Sequence, residues 1–221
     1  NICAAGMMNQ FDSVNEVMMR VGALPRFTNN EMSYYLSWST NGLINEYRNE
    51  ADAIYEGKSI KVMPLEGAEK IVIDGESFEA FNTSGGCATM CETFENDVEN
   101  LSYKTIRYPG HLNHMKFLFN DLHLKKNKDV LEKLFDKEVP RTKNDVIIFF
   151  VKVIGLIDGV LQEQTYLRKI YGDENYSAVQ LTTASGVCSV LKMYLQRRLF
   201  LALKCLILEE HSLTIRHCQR H

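Results

Sequence analysis

The segment VIIFFVKVIGLIDGVLQEQTYLRKI, residues 146–170, decides the fold class of this 221-residue chain. Residues 146–154 are almost wholly apolar and rich in β-branched side chains, which is typical of a buried strand. The Asp158-Gly159 pair that follows predicts a hairpin turn, because such a turn needs positive φ angles that Asp and Gly tolerate. We therefore predict a second strand over residues 160–170, paired with the first.

The same alternation of short apolar runs and glycine-containing turns recurs earlier in the chain. Asp74-Gly75 and Glu56-Gly57-Lys58 each separate two such runs, so each predicts a hairpin. Apart from residues 146–170, strands are predicted at 14–22, 54–55, 60–62, 71–73, 78–80 and 101–108. Helical spacing of apolar residues predicts helices at 34–47, 87–96, 111–122, 129–135 and 176–195. This pattern predicts one α+β domain with a mixed, largely antiparallel sheet and helices packed on one face.

Composition and charge exclude several classes of protein. Lys plus Arg is 25 and Asp plus Glu is 28, a net charge of −3, which gives no basic surface for nucleic acid or an anionic membrane. The longest apolar run, residues 199–208, is interrupted by Lys204 and is shorter than the ~18 residues of a membrane span. The six cysteines show no disulfide framework, and no signal peptide is visible. We therefore expect a reduced, cytoplasmic protein that binds neither nucleic acid nor membrane.

The chain lacks a phosphate-binding loop, since neither Gly-x-Gly-x-x-Gly after a strand nor Gly-x-x-x-x-Gly-Lys-Ser/Thr occurs. It begins at Asn1 with a sequence typical of the middle of a structural element. Both features suggest a fragment of a longer chain whose nucleotide-binding domain, if there is one, lies elsewhere.

One pair of cysteines and one pair of histidines have spacings that metal ligands can adopt. Cys87 and Cys91 are four residues apart, and His111 and His114 are three apart. The pairs differ in kind and lie in different predicted elements, whereas structural zinc usually takes two matching pairs. We therefore predict no metal site.

The string Arg107-Tyr108-Pro109-Gly110-His111 leads from a strand through a sharp turn into a helix. An Arg at a strand end can bind a carboxylate through two hydrogen bonds, and a His at a helix N-terminus favours its neutral form, suited to proton transfer. The alternative is that Arg107 forms a surface ion pair and His111 caps the helix. Similarly, Trp38 is either a core aromatic residue or, with its flanking serines, the wall of a polar pocket.

Several strings, taken together, resemble the C-terminal domain of the saccharopine dehydrogenase and lysine 6-dehydrogenase family. Their order and separation make the resemblance specific over residues 1–195. The strings are RVGALP (20–25), SWS (37–39), GLINEY (42–47), EAF (79–81), TSGG (83–86), YKTIRYPGH (103–111) and QLTTASG (180–186).

The resemblance implies the second domain of a Rossmann-type dehydrogenase, here without its Rossmann domain. In that family the Rossmann domain holds NAD or NADP, and the second domain supplies much of the substrate site and the subunit contact. Residues 1–196 are accordingly identified as a substrate-binding and dimerisation domain of a homodimeric oxidoreductase acting on the C–N bond of a lysine-type amino acid. The isolated chain is expected to bind no cofactor and to be inactive, and residues 197–221 form a divergent tail.

Motif position assigns candidate site residues. His111 is the catalytic candidate, and the substrate-binding candidates are Arg107, Tyr108, Trp38, Ser39, Thr83, Gly85 and Gly86. Asn41 stands where saccharopine reductases of the family carry an Arg that faces the substrate carboxylate, and the loss of this cation argues against the dicarboxylate saccharopine. The TSGG and RYPGH strings more closely resemble the lysine 6-dehydrogenase branch. The alternative function is a non-catalytic interaction module that retains the fold, which Asn41 and the altered tail both suggest.

Overall fold

A computed structural model describes residues 1–195 of the chain. These residues belong to two compact units, Asn1–Thr182 and a unit that starts at Thr183, of which only the end of the last helix is described. The predicted tail at 197–221 lies outside the described residues, and the domain boundary at 196 stays a prediction. No helix in the described part of the chain is long and apolar enough to cross a membrane.

The described strands form one eight-stranded sheet. They are β1 (Ser13–Pro25), β2 (Ala51–Tyr55), β3 (Lys58–Val62), β4 (Glu69–Ile73), β5 (Glu76–Phe81), β6 (Val98–Arg107), β7 (Asp145–Ile157) and β8 (Val160–Tyr171). The main order is β3-β2-β6-β1-β7-β8, and the β4–β5 hairpin joins the sheet through β6. Among these pairings only β1 with β6 is parallel. The predicted mixed, largely antiparallel sheet is therefore confirmed.

Three tight turns close the hairpins at the predicted places. Both central residues have positive φ in each of them: Glu56 and Gly57, Asp74 and Gly75, and Asp158 and Gly159. Two consecutive positive φ angles give a turn whose twist matches that of the flanking strands. These turns fix the registers of β2–β3, β4–β5 and β7–β8.

The described helices are α1 (Ile2–Met8), α2 (Thr40–Arg48), α3 (Met90–Thr93), α4 (His111–Lys116), α5 (Lys128–Glu138) and α6 (Ala178–Leu195). The helix predicted from residue 34 begins only at Thr40, because the Ser39 side chain accepts a hydrogen bond from the Gly42 amide at 3.1 Å and caps α2. The helix predicted over 87–96 is only four residues long. A π-helical turn, Phe117–Asp121, continues α4 as predicted.

Two core clusters lie on opposite faces of the sheet. Alternate residues of β1 point to opposite sides: Val17 packs with Met8 of α1 and Met90 of α3, whereas Leu24 packs with Phe78 of the β4–β5 hairpin. A third core cluster joins α2, α4 and α5. The helix side of β6 therefore meets the helical part of the domain, and this is where the candidate site forms.

Candidate functional site

Arg107 ends β6 as a buried cation, with 2% of its surface exposed. Its Nε donates a hydrogen bond to Tyr47 Oη at 2.8 Å, and its Nη1 donates to the Ile106 carbonyl at 2.9 Å. Its Nη2 lies 3.6 Å from Glu46 Oε2. The guanidinium carbon is also 5.3 Å from the centre of the Tyr34 ring, a distance at which the ring attracts the cation. The charge of Arg107 is thus satisfied by groups of the domain itself.

His111 opens α4 and extends this network. Its Nε2 lies 3.0 Å from Tyr47 Oη, and its Nδ1 lies 3.0 Å from the Met32 carbonyl. Because a carbonyl can only accept, we assign the proton to Nδ1, so that Nε2 accepts the Tyr47 O–H. Burial, helped by the charge of Arg107, lowers the pKa of His111 to about 3. His111 is therefore neutral and holds the Tyr47 hydroxyl in place.

A carboxylate on β5 fixes the start of α4. Glu79 accepts hydrogen bonds from the Gly110 amide at 3.2 Å and the Leu112 amide at 2.6 Å. Gly110 has a φ of 96°, a conformation that costs glycine little and other residues much. The turn and this cap set the direction in which the His111 ring leaves the helix.

Glu46 lies where the network reaches the surface, with 25% of its side chain exposed. Among the described residues, none donates a hydrogen bond to its carboxylate, and the nearest cation is Arg107. Burial raises the pKa of Glu46 to about 7, although Arg107 acts in the opposite direction. Near neutral pH this carboxyl is therefore divided between its charged and neutral forms.

A loop over residues 83–86 borders Glu46. The Ser84 amide donates to the Glu46 carbonyl at 3.1 Å, and the Ser84 hydroxyl donates to the Asn45 carbonyl at 3.1 Å, which ties the loop to α2. Thr83 is 1% exposed, and its hydroxyl has no hydrogen-bond partner among the described residues. Gly85 is exposed and has a φ of 84°.

Gly86 allows the loop to approach the sheet. A Cβ at this position would lie 2.2 Å from atoms of the Tyr103 ring, so no larger residue fits without moving that ring. Burial raises the pKa of Tyr103, and Glu46 and Arg107 both interact electrostatically with its phenol. Tyr103 therefore contacts the loop and lies within electrostatic range of the charged pair.

Trp38 and Ser39 contact residues that hold the site in place. The Trp38 Nε1 donates to Tyr34 Oη at 3.2 Å, and its ring fills the space above Gly42, where a Cβ would lie 2.5 Å from it. Trp38 also packs against the helical core, which agrees with the core alternative. Ser39 is exposed and acts as the cap of α2.

Tyr108 lies on the other side of the sheet. Because successive strand residues point to opposite faces, its side chain is directed away from that of Arg107. Its hydroxyl donates to the Pro25 carbonyl at 2.9 Å, and its ring stacks on Phe78 with centroids 5.6 Å apart. It lines a separate cleft of about 180 Å³ together with Lys169.

The model of the saccharopine dehydrogenase C-terminal domain family matches residues 1–201 of the chain. The chain belongs to this family. The match confirms the resemblance drawn from the sequence strings, and it covers every residue that forms the candidate site.

A solved structure is similar as well. Apo histidine-tagged saccharopine dehydrogenase (L-Glu forming) from Saccharomyces cerevisiae superimposes with a TM-score of 0.64 at 14% sequence identity. The match covers 86% of this chain and 63% of that one, so the chain spans less than two thirds of the protein it resembles. At this identity the likeness shows the shared fold.

The structure thus links Arg107, His111 and Trp38 through two tyrosines. It places the loop of Thr83 and Gly86 beside Glu46 and Tyr103, and it separates Tyr108 from this site. Sequence reasoning did not single out the groups that connect these residues. Those groups are Tyr34, Glu46, Tyr47, Glu79 and Tyr103. All but Tyr34 lie inside the strings that resemble the family, which is the signal that could have identified them.

The pyrophosphate of a nicotinamide dinucleotide binds at the N-terminus of a helix that follows a strand and a glycine-containing turn. In the described part of the chain, such turns precede α3, α4 and α6. The first two helices have four and six residues, too short for a phosphate site at the N-terminus. At α6, the Asp145 carboxylate already accepts the Ala178 amide at 2.5 Å and the Val179 amide at 3.1 Å, and its charge would repel a phosphate. These three helix N-termini therefore offer no site for the pyrophosphate of NAD or NADP.

The described residues contain no group of three or more His, Cys, Asp or Glu arranged to hold a metal ion. Cys87 and Cys91 are buried, and the Cys87 thiol lies 3.2 Å from the Asp52 carbonyl, to which it donates.

Proposed function

We propose that this chain is the substrate-binding domain of an NAD(P)-dependent oxidoreductase acting on the C–N bond of a lysine-type amino acid. Family membership supports the reaction class. The observation that carries the proposal is the Glu46–Arg107 pair. Arg107 is buried and held by hydrogen bonds to Tyr47 and to the Ile106 carbonyl, whereas the Glu46 carboxylate reaches the surface. The cofactor, which would take up or deliver the hydride, would be held by a domain outside the described residues.

Within this proposal, His111 is a positioning residue for Tyr47 and Arg107. Both nitrogens of His111 are engaged and the ring is buried, so its part here is to hold Tyr47 and, through it, Arg107. Direct catalysis by His111 and direct binding of a substrate carboxylate by Arg107 stay predictions. Both would require the network to open.

The proposed function is tested with the chain itself and with the full-length protein that, in this proposal, also carries the cofactor-binding domain. An NMR titration of the chain with L-lysine or saccharopine should shift amide signals of the 83–86 loop and of α2. The full-length protein should reduce NAD⁺ or NADP⁺ when one of these amino acids is added. Absence of both responses would contradict the proposal.

A non-catalytic interaction module is the second candidate, because of Asn41. This residue is exposed, and its side-chain amide donates to Glu132 of α5, so the position offers no cation to a substrate. Such a module would keep the fold and bind no amino acid. The same titration therefore separates the two candidates.

For dimerisation we propose that the outer edge of β8 binds a second copy of the chain. β8 has twelve residues, and among the described strands it pairs only with β7. Val160 and Leu161 at its start are 60% and 64% exposed. A long unpaired edge offers a row of backbone donors and acceptors, which a twofold-related copy of the same strand can satisfy.

Replacing Val160 and Leu161 together by Lys should convert the dimer into a monomer, because two like-charged edges would then face each other. Light scattering after size-exclusion chromatography measures the mass. Val72→Lys is the matched control, since Val72 is 67% exposed on β4, a strand that pairs with β5 and not with β8. A wild-type monomer, or a dimer that survives the double substitution, would contradict the assignment.

A further inference from the structure

We propose that Glu46 is the residue that binds the protonated amine of the substrate, at the point where its carboxylate reaches the surface near Tyr103. This inference rests on the proposed function and specifies which group of the site recognises which group of the ligand. Neither the family match nor the sequence strings assign Glu46 a role.

The Glu46 carboxylate has few hydrogen-bond partners within the described part of the protein. An ionised carboxylate has about four acceptor positions, and when it is largely enclosed it needs donors or a cation. Within the described residues no group donates to the Glu46 carboxylate, and Arg107 Nη2, at 3.6 Å, is beyond hydrogen-bond distance. The described protein groups therefore leave most of the acceptor positions of this carboxylate to a ligand.

Arg107 cannot move closer to Glu46 without breaking other bonds. Its Nε is held by Tyr47, whose hydroxyl is in turn held by the buried His111. Its Nη1 is held by the Ile106 carbonyl. The network therefore keeps the cation behind Glu46, and it leaves the outer side of the carboxylate to a ligand.

The groups near Glu46 suit a protonated amine. The neighbouring loop is tied to α2, because the Ser84 amide donates to the Glu46 carbonyl, and in this loop the buried Thr83 hydroxyl has no partner in the described part of the chain. Tyr103, which interacts electrostatically with Glu46, adds a phenol and an aromatic ring. A carboxylate and an aromatic ring suit an ammonium group, which has three donors and a positive charge.

Charged and titratable groups face Glu46 from three elements. Arg107 and Tyr103 come from β6, Tyr47 from α2 itself, and Tyr34 from the segment before α2. Burial raises the pKa of each of these three tyrosines, so they stay neutral over the range in which Glu46 titrates near pH 7. A bound amine should therefore be held more tightly as Glu46 ionises, while the amine itself stays protonated.

The test is an NMR titration of the chain with three ligands: L-lysine, L-norleucine, which lacks the side-chain amine, and 6-aminohexanoate, which lacks the α-amine. Glu46→Gln should weaken binding of the ligand that carries the recognised amine about tenfold, the effect of losing a charged hydrogen bond. Glu46→Asp should recover part of the affinity. Glu50→Gln is the control, because Glu50 is an exposed carboxylate just after α2.

The pH profile distinguishes direct binding from a structural effect. Wild-type affinity should rise several-fold between about pH 6 and 8 as the carboxylate ionises, and the Glu46→Gln profile should be flat. If wild type binds lysine and Glu46→Gln binds it equally well, the assignment of Glu46 is wrong while the proposed function stands. If wild type binds none of the three ligands, this inference is wrong, and the proposed function fails with it only when the full-length protein also does not reduce NAD⁺ or NADP⁺ with lysine or saccharopine.

Discussion

Arg107→Met is expected to lower the free energy of unfolding by about 3 kcal/mol, the lower end of what removing one partner of a buried charged network costs. The substitution leaves the Ile106 carbonyl and the Tyr47 hydroxyl without their buried donor, and it leaves Glu46 without a nearby cation. The loss stays near the lower end because Glu46 can take up a proton. Urea denaturation of the purified chain measures the difference.

Arg168→Met is a matched control for this substitution. Arg168 also lies in a strand and also donates to the carbonyl of the preceding residue, at 2.8 Å, but it is exposed. Its loss should cost less than about 1 kcal/mol, as for other exposed charged side chains. Equal losses for the two variants would show that the Arg107 network contributes nothing beyond an ordinary surface arginine.

The stability of the chain should be nearly insensitive to His111 and Glu46 between pH 6.5 and 4.5, because their contributions oppose each other. Below its ordinary pKa of 6.5 the unfolded chain protonates His111, but the folded chain does so only near 3, so its contribution is lost as pH falls. The pKa of Glu46 changes from its ordinary 4.5 to about 7, so its contribution is present at low pH and lost as pH rises. Each slope is about 1.4 kcal/mol per pH unit, and the two have opposite signs.

Glu46→Gln removes one of these slopes and exposes the other. In this variant the free energy of unfolding should fall by about 2 kcal/mol, relative to wild type, between pH 6.5 and 4.5. His111→Gln should show the opposite trend, with relative stability rising as the pH is lowered. The readout is the difference between urea denaturation series, so other titrating groups cancel. A Glu46→Gln curve parallel to wild type would contradict the opposed pKa shifts.

Hairpins were predictable because their determinants are local. A two-residue turn such as Asp74-Gly75 requires a particular backbone conformation that few residues adopt, and the strands on either side follow from it. The start of α2 was harder to predict. Residues 34–38 have helical spacing, but Leu36 pairs with Arg141, a contact over a hundred residues away that no local pattern reports.

In the site, too, neighbours in the sequence could be predicted, and contacts between distant segments could not. Arg107 and His111 stand in one strand–turn–helix passage, so the sequence alone places them near each other. Tyr108 adjoins both in the sequence, yet the pleat of β6 directs it to the other face. The contact between Glu46 and Arg107 joins residues sixty-one positions apart and depends on how α2 packs against the sheet.

The alternation along β6 has an evolutionary consequence. Tyr103 and Arg107 lie an even number of residues apart, which puts both on the side that carries the helices. Inserting or deleting a single residue between them would reverse this arrangement and would place Arg107 beside Phe78 rather than Glu46. Length changes in homologous proteins should therefore accumulate in exposed connections and be absent from these few positions.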